Sequence, residues 1–232
     1  MKEKIYLIPG LMCDERLWER LTPYLEDLYE LIHLTIPQTS SFDEIISILD
    51  EKIQEDEINL FGFSFGAYIS SYYAVNNPNK IKRLFLNAGT PSVMTDKEIE
   101  KRNNMLEMMD SFGFQCISSK KVASLLEEQN QNDENLVKLI KNMYRDLGEE
   151  VYISQMKTIN NRIPLEQHLI NLNIPIKMFY STNDRLLNYN SLDNFTKEHT
   201  HITKISRDGT SHMIPLEMPQ LLSKEIKSWM QL

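Results

Sequence analysis

Residues 58–68 read INLFGFSFGAY, with two glycines placed symmetrically about one serine in a chain that has only 7 glycines in 232 residues. Ile58 to Phe63 is an apolar run of strand length, and Ala67 to Val75 (AYISSYYAV) reads as a helix. A chain that leaves a strand, turns at Ser64 and enters a helix at once must turn very tightly. Side chains two positions to either side would then strike neighbouring chain, and Gly62 and Gly66 remove that collision. The pattern predicts strained backbone at Ser64 and a hydroxyl held at the carboxyl end of a sheet, where open α/β sheets place their ligands. A serine that merely caps a helix between two packing glycines is the plainer alternative. The strand–turn–helix context weighs against it.

The flanking sequence repeats the same rhythm. Lys4 to Ile8 (KIYLI) reads as a buried strand stopped by Pro9-Gly10, after which Asp14 is placed to cap a helix carrying Leu17, Trp18, Leu21 and Leu25. Leu31 to Ile36 reads as a second strand, and Ser41 precedes a helix with Ile45, Ile48, Leu49 and Ile53 on one face. Ile81–Gly89, Ile174–Ser181 and His201–Ser206 are further strands, and Pro215–Met230 is a closing helix. Six strands with little polar alternation, separated by helices, predict an α/β fold whose parallel sheet is covered on both faces. The stretch from Thr90 to Arg162 breaks the rhythm. It is polar, with helical periodicity over Asp96–Asp110 and over Asp133–Leu147, the latter stopped by Gly148. This reads as a helical insertion, giving a core of residues 1–90 and 163–232 and a cap of residues 91–162.

Composition narrows the function classes. Apolar residues make up 41% and charged residues 25%, enough for a substantial core. The formal charge of −8 gives no support to nucleic-acid binding. Cys13 and Cys116 have no metal-like neighbours, which fits a reduced, cytoplasmic setting. The apolar run at the amino terminus is too short for a signal peptide, and nothing later has the length of a membrane span, so a soluble protein is expected. With no metal cluster, phosphate loop or dinucleotide fingerprint, no cofactor and no metal are expected.

A serine hydroxyl is a poor nucleophile without a base, and the base needs orientation. Of five histidines, His33 lies in a strand segment, His168 in a polar helical stretch, and His199 and His201 at the start of a strand. His212 alone lies in a loop, GTSHMIP, between the last strand and the last helix, at the carboxyl edge of the sheet. An orienting acid is sought between Ser64 and His212. Asp184, in YSTNDRLLN, comes directly after its strand and emerges at that edge, whereas the preceding strand ends LNAGTP without a carboxylate. Asp208 is so near His212 in sequence that reaching behind the imidazole is awkward. Asp184 is preferred, its plainer role being a solvated turn residue or helix cap.

The order Ser64, Asp184, His212 resembles the α/β-hydrolase superfamily over nearly the whole chain, with the family's first two strands absent. SHMIPLEMP is similar to the family's histidine loop, with Glu217 and Pro219 starting the closing helix, and LIPGLMCDERLW to the oxyanion loop of small bacterial members. The resemblance implies the α/β-hydrolase fold, an inserted helical lid, and an oxyanion hole made by the backbone N–H groups of Leu11 and Phe65, with Gly10 letting the first loop approach closely. Two positions depart from the pattern: Pro9-Gly10 stands where many relatives have His-Gly, and Ala67 where a second glycine is frequent. The implied activity is hydrolysis of a carboxylic ester through an acyl-enzyme, with Ser64 as nucleophile, His212 as general base and Asp184 as orienting acid. Acyl-thioester or carbon–carbon bond hydrolysis, and a ligand-binding receptor with little turnover, are the alternatives. Pimeloyl-carrier methyl ester esterases are one similar group. Met105, Met108, Met109, Met143 and Met156 suit either an adaptable apolar pocket or lid packing. Lys97, Lys101, Arg102, Lys120 and Lys121 offer a face for an acyl-carrier protein, and a solvated helix surface accounts for them equally. Cys13 lacks an elbow and a placed base and reads as a structural thiol.

Overall fold

The computed structural model describes residues 2–195 and 199–232. In chain order its elements are β1 (Glu3–Ile8), β2 (Tyr29–His33), α1 (Phe42–Lys52), β3 (Ile58–Phe63), α2 (Phe65–Asn76), β4 (Ile81–Asn87), α3 (Asp96–Phe112), α4 (Ser119–Ala123), α5 (Glu134–Asn160), α6 (Glu166–Asn171), β5 (Ile176–Ser181), α7 (Tyr189–Phe195), β6 (Ile202–Arg207), α8 (Ile214–Glu217) and α9 (Pro219–Trp229). The strands form one sheet in the order β2-β1-β3-β4-β5-β6, and every pairing is parallel.

Burial explains why these segments lack polar alternation. Each position of β3 and of β5 is buried, because helices cover both faces. Tyr6, Ile8, Leu60, Leu84 and Met178 pack on one side with residues of α1, α2, α6 and α7. Ile5, Leu7, Phe61, Phe63, Phe85 and Phe179 pack on the other with α8 and α9. There Phe61 stacks on Phe85 at 4.8 Å, and Trp229 of α9 meets Phe85 edge-on at 5.5 Å. The edge strands β2 and β6 are only partly covered.

Several element boundaries differ from those expected of the sequence. Asp14 does cap, accepting from Arg16 N, but it opens two 3-10 turns, Glu15–Trp18 and Thr22–Tyr24, in place of an α-helix. Pro23 supplies no N–H for a continuing α-helix. Leu17, Trp18, Leu21 and Leu25 are nonetheless fully buried. β2 ends at His33, and Leu34 and Ile36 are buried beyond it. Ile48 is 37% exposed, while Ile46 turns towards the core. The closing helix is interrupted at Met218, before Pro219, and forms α8 and α9.

Between β4 and β5 the described residues form helices and connecting turns. Thr95 and Glu98 close a capping box at the start of α3, which ends at Gly113. Gly148 interrupts α5 with φ 78°, a conformation that glycine adopts without penalty, and helix resumes as far as Asn160. α3 buries no residue, and its Met105 and Met108 are exposed. α5 is anchored: Leu136, Ile140 and Met143 join the core under the sheet, and Tyr152 and Met156 pack on Met12. Lys97, Lys101, Lys120 and Lys121 are exposed, and Arg102 is half-buried. Among the described residues, no helix is long and apolar enough to cross a membrane, and no group of three or more His, Cys, Asp or Glu is placed to hold a metal ion.

Candidate active site

Because all six strands run the same way, the loops after β1, β3, β5 and β6 emerge at one edge of the sheet. Leu11, Ser64, Asp184 and His212 lie on those four loops.

The turn at Ser64 has the strained geometry its neighbours imply. Ser64 sits at φ 54°, ψ −112°, and its amide donates to Asn87 O at 2.8 Å. A Cβ on Gly62 would lie 2.3 Å from Gly66 O, and one on Gly66 would lie 2.3 Å from both Ile8 O and Pro9 O. Gly66 therefore lets the start of α2 rest on the backbone that leads into the Leu11 turn. Ala67 fits because residue 89 is glycine, where an added Cβ would come within 2.7 Å of Ala67 Cβ.

Ser64, His212 and Asp184 form a hydrogen-bonded row. His212 Nδ1 is 2.7 Å from Asp184 Oδ2, and Nε2 is 2.8 Å from Ser64 Oγ. An ionised carboxylate only accepts, so Nδ1 carries the proton and Nε2 is left to accept from the serine hydroxyl. Asp184 Oδ1 accepts from Leu186 N at 2.9 Å. Tyr189 OH donates to Ser181 O and Asp184 O and holds the loop. Asp184 and His212 are buried, and Ser64 is half-exposed. The imidazole packs on the Phe63 ring at 5.2 Å. Asp208 takes no part in this row. His199 and His201 lie together at the opposite edge of the sheet, before β6, and His168 is on α6.

At the end of β1, Cys13 N donates to Gly10 O at 3.2 Å, closing a turn in which Met12 has φ 52°. Among the described residues, the N–H groups of Leu11 and Phe65 have no acceptor. Met12 N is held by Gln155 Oε1 at 2.9 Å, a buried side chain of α5. Cys13 is buried, and burial pushes its thiol up to about 12, so it stays protonated at neutral pH.

Several supporting residues carry little signal in the sequence. His212 N donates to Leu125 O at 2.8 Å, so the histidine loop hangs from the segment after α4. Glu127 of that segment accepts from the backbone of Thr210 and Ser211 and pairs with Arg207. Burial alone would raise its pKa, but the Arg207 pair and those amides outweigh it and hold the carboxyl below its usual value. Glu217 accepts from Ser211 Oγ, Asn130 Nδ2 and Glu127 N, and burial leaves its pKa raised. Gln155 and Glu127 are hard to find by residue type, since each is a polar residue whose partners lie 80 to 143 positions away. Gly89 is visible as a glycine at a strand end, without its partner.

A model of the alpha/beta hydrolase fold matches residues 9–219. No curated protein matches the chain in sequence. Among solved structures, a thermophilic esterase from Thermogutta terrifontis, solved with malate bound, is similar with a TM-score of 0.86 at 16% identity, covering 100% of this chain and 90% of that one. The enol-lactonase from Burkholderia xenovorans LB400 is similar with a TM-score of 0.82 at 14% identity, covering 100% and 92%. A structure from a study of carboxylesterases of the thaumarchaeon Nitrososphaera gargenis has a TM-score of 0.82 at 15% identity, covering 99% and 90%. At such identities the likeness carries the fold.

Proposed function

The chain belongs to the α/β-hydrolase fold family, and from that premise we propose that it is a serine hydrolase that cleaves a carboxylic ester. The observation that carries the reading is the row Ser64 Oγ, His212 Nε2, His212 Nδ1, Asp184 Oδ2, with both contacts below 3 Å. Ser64 attacks the ester carbonyl as His212 takes its proton, and Asp184 steadies the imidazolium. The free N–H groups of Leu11 and Phe65 receive the oxygen as it becomes negative, and each such donor contributes about 3–4 kcal/mol to the transition state. His212 returns the proton to the departing alkoxide, leaving an acyl-enzyme. Water, activated by the same imidazole, then releases the acid. The helices of residues 91–162 act as a lid over Ser64, and the esterases and the lactonase among its structural neighbours fit this class of substrate.

A fluorophosphonate probe together with a panel of p-nitrophenyl esters and acyl-thioesters tests this reading. The folded protein is expected to label rapidly, and Ser64→Ala to lose the label. His212→Ala and Asp184→Asn are expected to lower ester turnover by about 10³-fold or more with the melting curve retained. Absence of labelling in the folded wild type overturns the enzyme reading, and full activity in Asp184→Asn overturns the role of that carboxylate.

A further inference from the structure

Arg162 stands beside the Ser64 turn, and neither it nor Arg102 of α3 makes an ion pair with a carboxylate among the described residues. The Arg162 guanidinium lies over the Tyr68 ring, 4.5 Å from its centroid, and 5.8 Å from that of Phe65, the residue after Ser64. Its place is fixed, because Tyr68 OH donates to Ile163 O at 2.8 Å and accepts from Ile163 N at 2.7 Å. Arg162 Nε is closed off from solvent and makes no hydrogen bond among the described residues, while the residue as a whole keeps some exposed surface. Burial holds its pKa down to about 10. Arg102 of α3 is likewise pulled down by burial, and it donates to a backbone oxygen, Glu98 O at 3.2 Å. The next residue, Asn103, accepts from Asn160 Nδ2 at 2.9 Å, which ties this turn of α3 to the end of α5, two residues before Arg162.

Arg16, Arg83, Arg145 and Arg207 each hold a carboxylate. Arg20 and Arg185 likewise make no ion pair among the described residues, and Arg20 donates to a backbone oxygen, Leu216 O at 3.2 Å; what sets Arg162 apart is its closed-off Nε over two aromatic rings beside Ser64. Glu98, one turn before Arg102 on α3, accepts through Oε2 from Thr95 N and Oγ1 in the capping box and makes no ion pair with either arginine. Aromatic faces engage a guanidinium through its plane and leave the N–H edge unspent, and that edge matches a carboxylate in a two-point bond. We propose that Arg162, assisted by Arg102, receives an ionised carboxylate carried by the substrate, so that the ester cleaved is a monoester of a dicarboxylic acid. This rests on the reading of Ser64 as the nucleophile.

The test pairs the monomethyl esters of succinate through suberate with neutral methyl esters of equal acyl length, at low salt. For at least one length, kcat/KM is expected to favour the charged ester by about tenfold or more, and Arg162→Gln to lower that ratio by about tenfold. Arg102→Gln, on the half-buried α3 side chain, is expected to lower it severalfold, and serves if Arg162→Gln does not fold. Calorimetric titration of Ser64→Ala with the same monomethyl esters reads binding without turnover, and Ser64→Ala/Arg162→Gln is expected to lose it. Ser64-dependent hydrolysis with no charged-ester preference overturns this inference and leaves the hydrolase reading standing, as does a preference that both arginine variants retain. Arg162-dependent binding by Ser64→Ala, with no ester turned over by the wild type, overturns the hydrolase reading and, with it, the inference that such a monoester is cleaved, leaving Arg162 as a carboxylate-binding residue.

Discussion

Ser64 concentrates the tension between folding and chemistry. At φ 54° and ψ −112° a residue with a Cβ is strained by about 1–3 kcal/mol, whereas glycine adopts the mirror of an extended conformation there freely. Ser64→Gly is therefore expected to be more stable than Ser64→Ala by about 1 kcal/mol, after allowing for the extra freedom of glycine in the unfolded chain. Urea unfolding of the two variants measures this, and an alanine variant as stable as the glycine one would show the turn to be unstrained. The residues of the Ser64–His212–Asp184 row could be read from the sequence because their chemistry is written in residue type and in their place just after a strand. Arg162 could not. Its significance lies in which partners it lacks, and a missing carboxylate is a property of packing.

Among elements, the histidine loop is the one whose support was least legible. Residues 208–213 are short and polar, and their order comes from Leu125, Glu127 and Glu217, brought in by the segment after α4 and by α8. Glu127 and Arg207 are both largely buried, so Glu127→Gln leaves a charge without its partner and is expected to cost about 3 kcal/mol near neutral pH. The direction of each pKa shift sets the pH dependence. Glu127 has a folded pKa below its ordinary 4.5, so its contribution is present above that value and is lost as pH falls through the lower folded one. Glu217 has a folded pKa above 4.5, so its contribution is present below that value and is lost as pH rises through the folded one. Melting curves from pH 3 to 8 should thus show the gap to wild type narrowing on acidification for Glu127→Gln and on alkalinisation for Glu217→Gln. Parallel gaps in both variants would mean that neither carboxylate is coupled to folding in this way.

At the scale of the whole molecule, the alternation of unbroken apolar strands with helices was enough to read a parallel sheet, and a parallel sheet brings the loops after β1, β3, β5 and β6 to one edge. Boundaries were harder, since proline decided two of them: Pro23 replaces a helix by 3-10 turns, and Pro219 interrupts the closing helix. The same architecture separates a rigid part from a loose one. β3 is buried at every position and paired on both sides, whereas α3 buries no residue and exposes Met105, Met108 and Phe112. Opening α3 exposes little apolar surface, while opening β3 dismantles the core, so the two should differ by several kcal/mol in local stability. Native-state hydrogen exchange is expected to show amides of Asp96–Phe112 exchanging at least about 100-fold faster than those of Ile58–Phe63. Equal protection would mean that α3 opens only when the sheet does, so that helix and sheet form one cooperative unit.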